Sequence, residues 1–197
     1  INGNEAILQM EQAGDYPDII VGCTGGGSNL SGLMFPFLGQ QLRGGQKIDI
    51  IGCEPLSCPS FTKGKYAYDH GDMAKMTPLI KMHTLGSDFL PPATHSGGLR
   101  YHGMSYHLSH LYDLGLMRAK AYGQKECFEA GINFGQQEGI IPAPEATHAV
   151  KGAIDAALEC KEKGESKTIL FNLCGHAHFD MSAYQDYFSG NLADDIY

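Results

Sequence analysis

At 197 residues, 43% hydrophobic and 18% charged, the chain has enough apolar material for a real core and too little charge to stay disordered. Its net charge of −8, with no basic block to offset it, disfavours nucleic acid and anionic membrane surfaces as partners. No apolar run approaches the roughly 18 residues of a membrane span, and no signal-peptide pattern is visible. The six cysteines (Cys23, Cys53, Cys58, Cys127, Cys160 and Cys174) are scattered with no CxxC pair. They read as reduced, mostly buried thiols, which makes the cytoplasm the expected location.

The chain opens at Ile1 inside ordinary globular sequence, as a piece of a longer protein would. Asn4 reads as the cap of a helix over Glu5 to Ala13, with Gly14 as its stop. Ile19 to Val21 reads as a buried strand, followed by a glycine-rich turn and a helix from about Leu30 to Leu42. Ile48 to Gly52 is the next short apolar strand. Residues 54–115, rich in Gly, Pro, His and Met, carry little periodicity and are expected to be functional loop and short helix. Ala119 to Gln137 has helical spacing, with Cys127, Phe128, Ile132 and Phe134 as core. Glu145 to Lys161 is a second strong helix, Thr168 to Leu173 a third buried strand, and Asp180 to Phe188 a closing amphipathic helix. This alternation predicts an α/β domain with a largely parallel sheet flanked by helices, and no second domain within the chain.

The stretch CTGGGSNLSG, residues 23–32, carries the clearest chemistry. A glycine triplet between a strand and a helix presents backbone N–H groups beside the positive end of the helix, which suits an anion. Ser28 and Asn29 add side-chain donors, and the glycines let the anion approach the backbone. Phosphate is the expected guest; a tight turn with no ligand is the alternative. The common nucleotide motifs do not fit. GxGxxG would need glycine where Leu30 stands, and no GK[ST] ending is present. Glu54 lies at about the distance of a ribose-binding acid, but the glycine spacing is wrong for that role.

Five motifs, in order, resemble one family: GGGSN after DIIVGCT, GCEP after the next strand, HSGGLRYHG, EGIIPAPEATHA and FNLCGHAHFD. Together they are similar to the C-terminal part of the tryptophan synthase β chain. GGLRYHG resembles the second, divergent type, in which arginine stands in a loop that usually carries aspartate. The resemblance covers nearly the whole chain. It implies the tryptophan synthase β-like fold (fold type II), with pyridoxal 5'-phosphate (PLP) in a cleft between two α/β domains. It also implies replacement at the β-carbon of L-serine, or O-phosphoserine, by indole to give L-tryptophan. On this comparison Gly25, Gly26, Gly27, Ser28 and Asn29 hold the cofactor phosphate, and Glu138 matches a glutamate near the cofactor ring. Cys174 stands where the family commonly has a serine facing the pyridine nitrogen. That is a departure, because a thiol is a weaker and longer hydrogen-bond partner than a hydroxyl. Arg100 and Tyr101 fall in the loop that closes over substrate. Tyr101 and Gly103, with the carbonyl of Gly25, match a monovalent-cation site.

The Schiff-base lysine of the family lies in its N-terminal half, and no lysine here sits in that motif. Residues 1–197 are therefore expected to be the C-terminal, phosphate-binding portion, inactive alone. The resemblance implies a homodimer and leaves an α-chain partner undecided. His176, His178 and Asp180, and His102, His107 and His110, lack closed metal-ligand spacing, so no transition-metal site is expected. Met73, Met76, Met82 and Met104 are expected as core or loop packing, and Cys23 as a buried structural thiol. Two other readings stay open. One is another enzyme of the same fold, such as a serine or threonine dehydratase, threonine synthase or cysteine synthase. The other is a non-catalytic module that binds a phosphate ligand.

Overall fold

The computed structural model describes residues 1–194 and 196–197. Four strands, β1 (Ile19–Cys23), β2 (Asp49–Pro55), β5 (Arg118–Tyr122) and β6 (Ile169–Phe171), form a fully parallel sheet in the order β5-β2-β1-β6. Helices cover both faces. Ile20 and Ile50 point into a cluster with Leu30, Met34 and Phe37 of α2 (Ser28–Leu42) and with Ala6 of α1 (Asn2–Ala13). Ile19, Val21, Ile51 and Cys53 point the other way, toward Cys127 of α4 (Gln124–Glu138) and Ala156 and Cys160 of α5 (Pro144–Lys163). Burial on both faces is why the strand sequences run apolar without alternation.

α5 crosses the sheet closely because Gly152 faces it. A Cβ there would lie 2.3 Å from Cys53 Sγ and 2.9 Å from Val21 Cγ1. Among the described residues no helix is long and apolar enough to cross a membrane.

Several elements depart from the sequence reading. α1 begins at Asn2 with Ile1 as N-cap, so Asn4 lies inside the helix, while Gly14 does close it in the left-handed region. Ala119 to Tyr122 is not the start of a helix but strand β5, paired parallel with β2. The segment over residues 54–115 holds an antiparallel hairpin, β3 (Lys65–His70) and β4 (Leu79–Thr84), and the helix α3 (Tyr106–Asp113). β6 is shorter than expected and half-buried. The last helix, α6 (Met181–Phe188), packs Tyr184 against Phe128 of α4. Met82 and Met104 are core, while Met73 and Met76 lie exposed in the hairpin turn.

Glu54, at the C-terminal end of β2, is fully buried. Its carboxylate accepts from the Phe61 and Thr62 amides at 2.8 and 2.9 Å and from Thr62 Oγ1 at 2.7 Å, pinning the loop that follows the strand. This internal role replaces the ribose contact considered from spacing alone. Burial outweighs these bonds and pushes the Glu54 carboxyl up to about 7. A carboxyl raised in the folded state favours folding while it is protonated. That contribution is full below its ordinary value of 4.5 and fades as pH rises through about 7. Between pH 4.5 and 7.5 the wild type should lose about 3 kcal/mol relative to Glu54→Gln, read as the difference between urea unfolding free energies at each pH.

Candidate functional site

A cavity of about 540 Å³ opens at the C-terminal ends of β1 and β6. From β1 the chain builds outward through β2 to β5 and then returns to place β6 on the other side of β1, so the cavity sits where the strand order reverses. Open α/β sheets bind ligands at such a point. Its walls are Cys23, the turn Gly25 to Asn29, Gly98, Leu99 and Tyr101, Ala143 and Glu145, and Cys174 and Gly175. A larger groove, about 680 Å³, lies between α2, the hairpin and α3, lined by Phe35, Leu42, Tyr66, Tyr106 and His107 among others. It is mainly apolar and lacks the anion-binding turn.

The floor is the start of α2. Gly27 is its N-cap with φ +93°, a conformation side chains rarely adopt, and having no side chain it leaves the first-turn N–H groups to any bound anion. Ser28 and Asn29 are exposed at the mouth, and Asn172 Nδ2 donates to Asn29 Oδ1. The Gly26 carbonyl accepts from the Ser105 amide at 3.0 Å, tying the turn to the start of α3. Thr24 Oγ1 is buried beside the turn with no hydrogen-bond partner among the described residues.

One wall is the 3₁₀ turn Gly97–Leu99 and Tyr101, which pack directly on the glycines. A Cβ at Gly25 would lie 2.6 Å from the Gly98 carbonyl oxygen and 2.8 Å from Leu99 Cα; one at Gly26 would be 3.3 Å from the Tyr101 ring. Glu145 Oε1 accepts the Gly98 amide at 2.8 Å and holds this wall in place. The opposite wall joins two loops. The Ala143 amide donates to the Gly175 carbonyl and the Ala177 amide to the Ile141 carbonyl, both at 2.9 Å. That pairing sets Glu145 and Cys174 on one cavity.

The expected phosphate residues, Gly25, Gly26, Gly27, Ser28 and Asn29, come together with Cys174 and Tyr101. Glu138 does not join them. It is exposed at the C-terminal end of α4 and lines no part of the cavity, whose carboxylate is Glu145. EGIIPAPEATHA contains both acids, and only the pairing of its loop with residues 174–177 shows which one faces inward. Arg100 is exposed, donates to the Pro91 carbonyl at 2.8 Å, and points away from the walls. Gly103 pairs with Thr84 against Met82, apart from Gly25 and Tyr101.

Cys23 is more than a structural thiol. Its sulfur lies 3.5 Å from Cys174 Sγ on the cavity wall. The hydrogen bond shared with Cys174, reinforced by burial, pushes the Cys23 thiol well up, and the same bond draws the Cys174 thiol down. Among the described residues no lysine lines the cavity, and no group of three or more His, Cys, Asp or Glu comes together as a metal site.

Comparison with known proteins agrees with this geometry. A family model described as pyridoxal-phosphate dependent enzyme matches residues 3–175. The tryptophan synthase beta chain 2 of Methanosarcina mazei is 56% identical over 190 residues, covering 96% of this chain and 43% of that protein. The Aquifex aeolicus protein of the same name is 56% identical over 195 residues, covering 98% and 45%. That of Thermococcus kodakarensis is 49% identical over 192 residues, covering 98% and 43%. The chain thus spans less than half the length of these relatives. Among solved structures, a fungal L-serine ammonia-lyase from Rhizomucor miehei superposes with a TM-score of 0.68 at 15% identity, over 97% of this chain and 56% of that one. A bacterial-strain threonine deaminase, from T.th., gives 0.60 at 17% identity, over 88% and 50%. These two likenesses speak to the fold alone, and they bear out the expected α/β architecture.

Two outcomes follow from the walls. Gly25→Ala should weaken PLP binding, and its competition by inorganic phosphate, about tenfold or more in an absorbance titration, because the new methyl meets backbone rather than a movable side-chain tip. Glu145→Ala should make amide exchange at Gly98 about tenfold faster by removing a charged acceptor, with exchange in β1 unchanged.

Proposed function

The chain belongs to the pyridoxal-phosphate dependent enzyme family, and from that premise we propose that it forms the phosphate-binding, C-terminal portion of a tryptophan synthase β-type enzyme joining L-serine to indole. The single observation carrying this reading is the cavity at the strand-order reversal. There the side-chain-free start of α2, Glu145 and Cys174 converge on one space. The relatives' names supply the substrates.

The residues present fit PLP. The glycine cradle admits a phosphate to the backbone of Gly25, Gly26 and Gly27, with the Ser28 hydroxyl and Asn29 amide at its mouth, and buried Thr24 Oγ1 is a free polar partner beside it. When bound, the cofactor supplies an electron sink for bonds to the α-carbon of an amino acid. Cys174 then faces the ring as a neutral sulfur contact, which leaves the pyridine nitrogen largely unprotonated and favours exchange at the β-carbon. Glu145 takes the place first given to Glu138: it bonds Gly98 and presents its remaining oxygen to the cavity. Arg100 is the candidate to pair with the substrate carboxylate, exchanging its bond to the Pro91 carbonyl when the loop shuts. A monovalent cation between the Gly25 carbonyl and the Tyr101 loop belongs to the same proposal.

With no lysine on these walls, the amine that carries the cofactor comes from residues outside the described chain. The proposed working protein is longer, a homodimer, and in the cytoplasm. O-phosphoserine remains an alternative donor, and an α chain an undecided partner.

The full-length protein with PLP, L-serine and indole should form tryptophan, read by fluorescence and mass spectrometry, without an α chain. Deamination of serine to pyruvate with no tryptophan would assign it instead to the dehydratases of this fold. PLP binding without either product would reduce it to a binding module.

A further inference from the structure

Two cysteines from opposite ends of the chain share one wall of the cavity. Cys23 is the last residue of β1, and Cys174 lies in the loop after β6. Their sulfurs are 3.5 Å apart. A disulfide needs about 2.05 Å, so the pair must close by about 1.5 Å. Cys174 sits on an irregular loop that a side-chain turn and a small backbone shift can move. The other four cysteines, Cys53, Cys58, Cys127 and Cys160, are buried and line no part of this space.

We propose that Cys23 and Cys174 form a peroxide-reactive dithiol site whose oxidation to a disulfide weakens cofactor binding. The second half rests on the PLP reading above. The two thiols are chemically unequal. Cys174 is half-buried and faces the cavity, whereas Cys23 is buried behind it and can donate its S–H to the Cys174 sulfur. That donation favours the thiolate on Cys174, in line with its lowered pKa.

The chemistry balances with hydrogen peroxide as oxidant. The Cys174 thiolate attacks one peroxide oxygen, the O–O bond breaks, and the departing hydroxide takes up a proton to leave as water. Cys174 is then a sulfenic acid. The Cys23 sulfur attacks the Cys174 sulfur, the S–O bond breaks, and the hydroxyl leaves as a second water with the Cys23 proton. Two thiols have lost two electrons and peroxide has gained them. The product staples the end of β1 to the loop after β6 across the strand-order reversal. It also removes the Cys174 S–H that would face the ring nitrogen.

The test uses the full-length protein and one equivalent of hydrogen peroxide, followed by alkylation, digestion and mass spectrometry. PLP affinity is measured by absorbance titration before and after, and again after dithiothreitol. The expected result is a Cys23–Cys174 cross-linked peptide, two hydrogens lighter than its parts, with PLP binding about fivefold weaker and restored by dithiothreitol. Cys174→Ser should lose the cross-link and make PLP affinity indifferent to peroxide; Cys58→Ser should retain both responses. Recovery of Cys174 as sulfinic acid, or of both thiols alkylated while other cysteines oxidise, overturns the site. A cross-link with unchanged PLP affinity overturns its effect on the cofactor. A cross-link in protein whose reduced form binds no PLP leaves the dithiol site standing and sinks the cofactor reading instead.

Discussion

The site depends on a steric exclusion: nothing larger than hydrogen fits on the backbone at Gly25. The Gly98 carbonyl and Leu99 Cα occupy the space a methyl would need. This close approach brings the 97–101 loop down on the start of α2, so that one loop forms a wall while the helix N-terminus forms the floor. Gly27 completes the arrangement with a positive φ and with Leu108 Cδ1 2.4 Å from where its Cβ would lie. The same three glycines thus set backbone shape, loop packing and access to the N–H groups.

The sheet supplies the rest of the geometry. A parallel sheet aligns the C-terminal ends of its strands, and the reversal of order at β1 separates the connections leaving β1 and β6. Space opens there for the loops of residues 140–145 and 172–178, which bond to each other as a short bridged pair. Tyr184 Oη donates to the Pro142 carbonyl at 2.6 Å, so α6 braces that pair from behind. Residues far apart in sequence, Cys23, Gly98, Glu145 and Cys174, therefore meet in one cavity on rigid supports.

The electrostatics of the cavity are set by few groups. Glu145 is its one carboxylate, anchored by the Gly98 amide, and the α2 N-terminus provides the opposing positive field. Between them lie two thiols of unlike acidity. The buried charge elsewhere is structural: Glu54 fastens a loop behind the sheet, and Arg118 with Asp49 and Glu159 ties β5 to β2 and α5 at the far edge. Chemistry and scaffold thus use different ionisable residues.

The sequence by itself determined the parts whose signal is local. Runs such as Ile19 to Val21 announce a sheet covered on both faces, and a glycine triplet between strand and helix announces an anion seat. Motif order was enough to mark the family. It could not decide what depends on partners distant in the chain. Arg118 to Tyr122 reads as helix until β2 offers it a ladder, and the hairpin of residues 65–84 has no pattern strong enough to predict without its pairing. Glu138 and Glu145 sit in one motif with equal claim to the cofactor. Only the hydrogen bonds of residues 141–145 with 98 and 175–177 turn Glu145 inward and leave Glu138 in solvent. The meeting of Cys23 with Cys174 likewise exists only in the folded chain, because it follows from the parallel pairing of β1 with β6 and not from any spacing along the sequence.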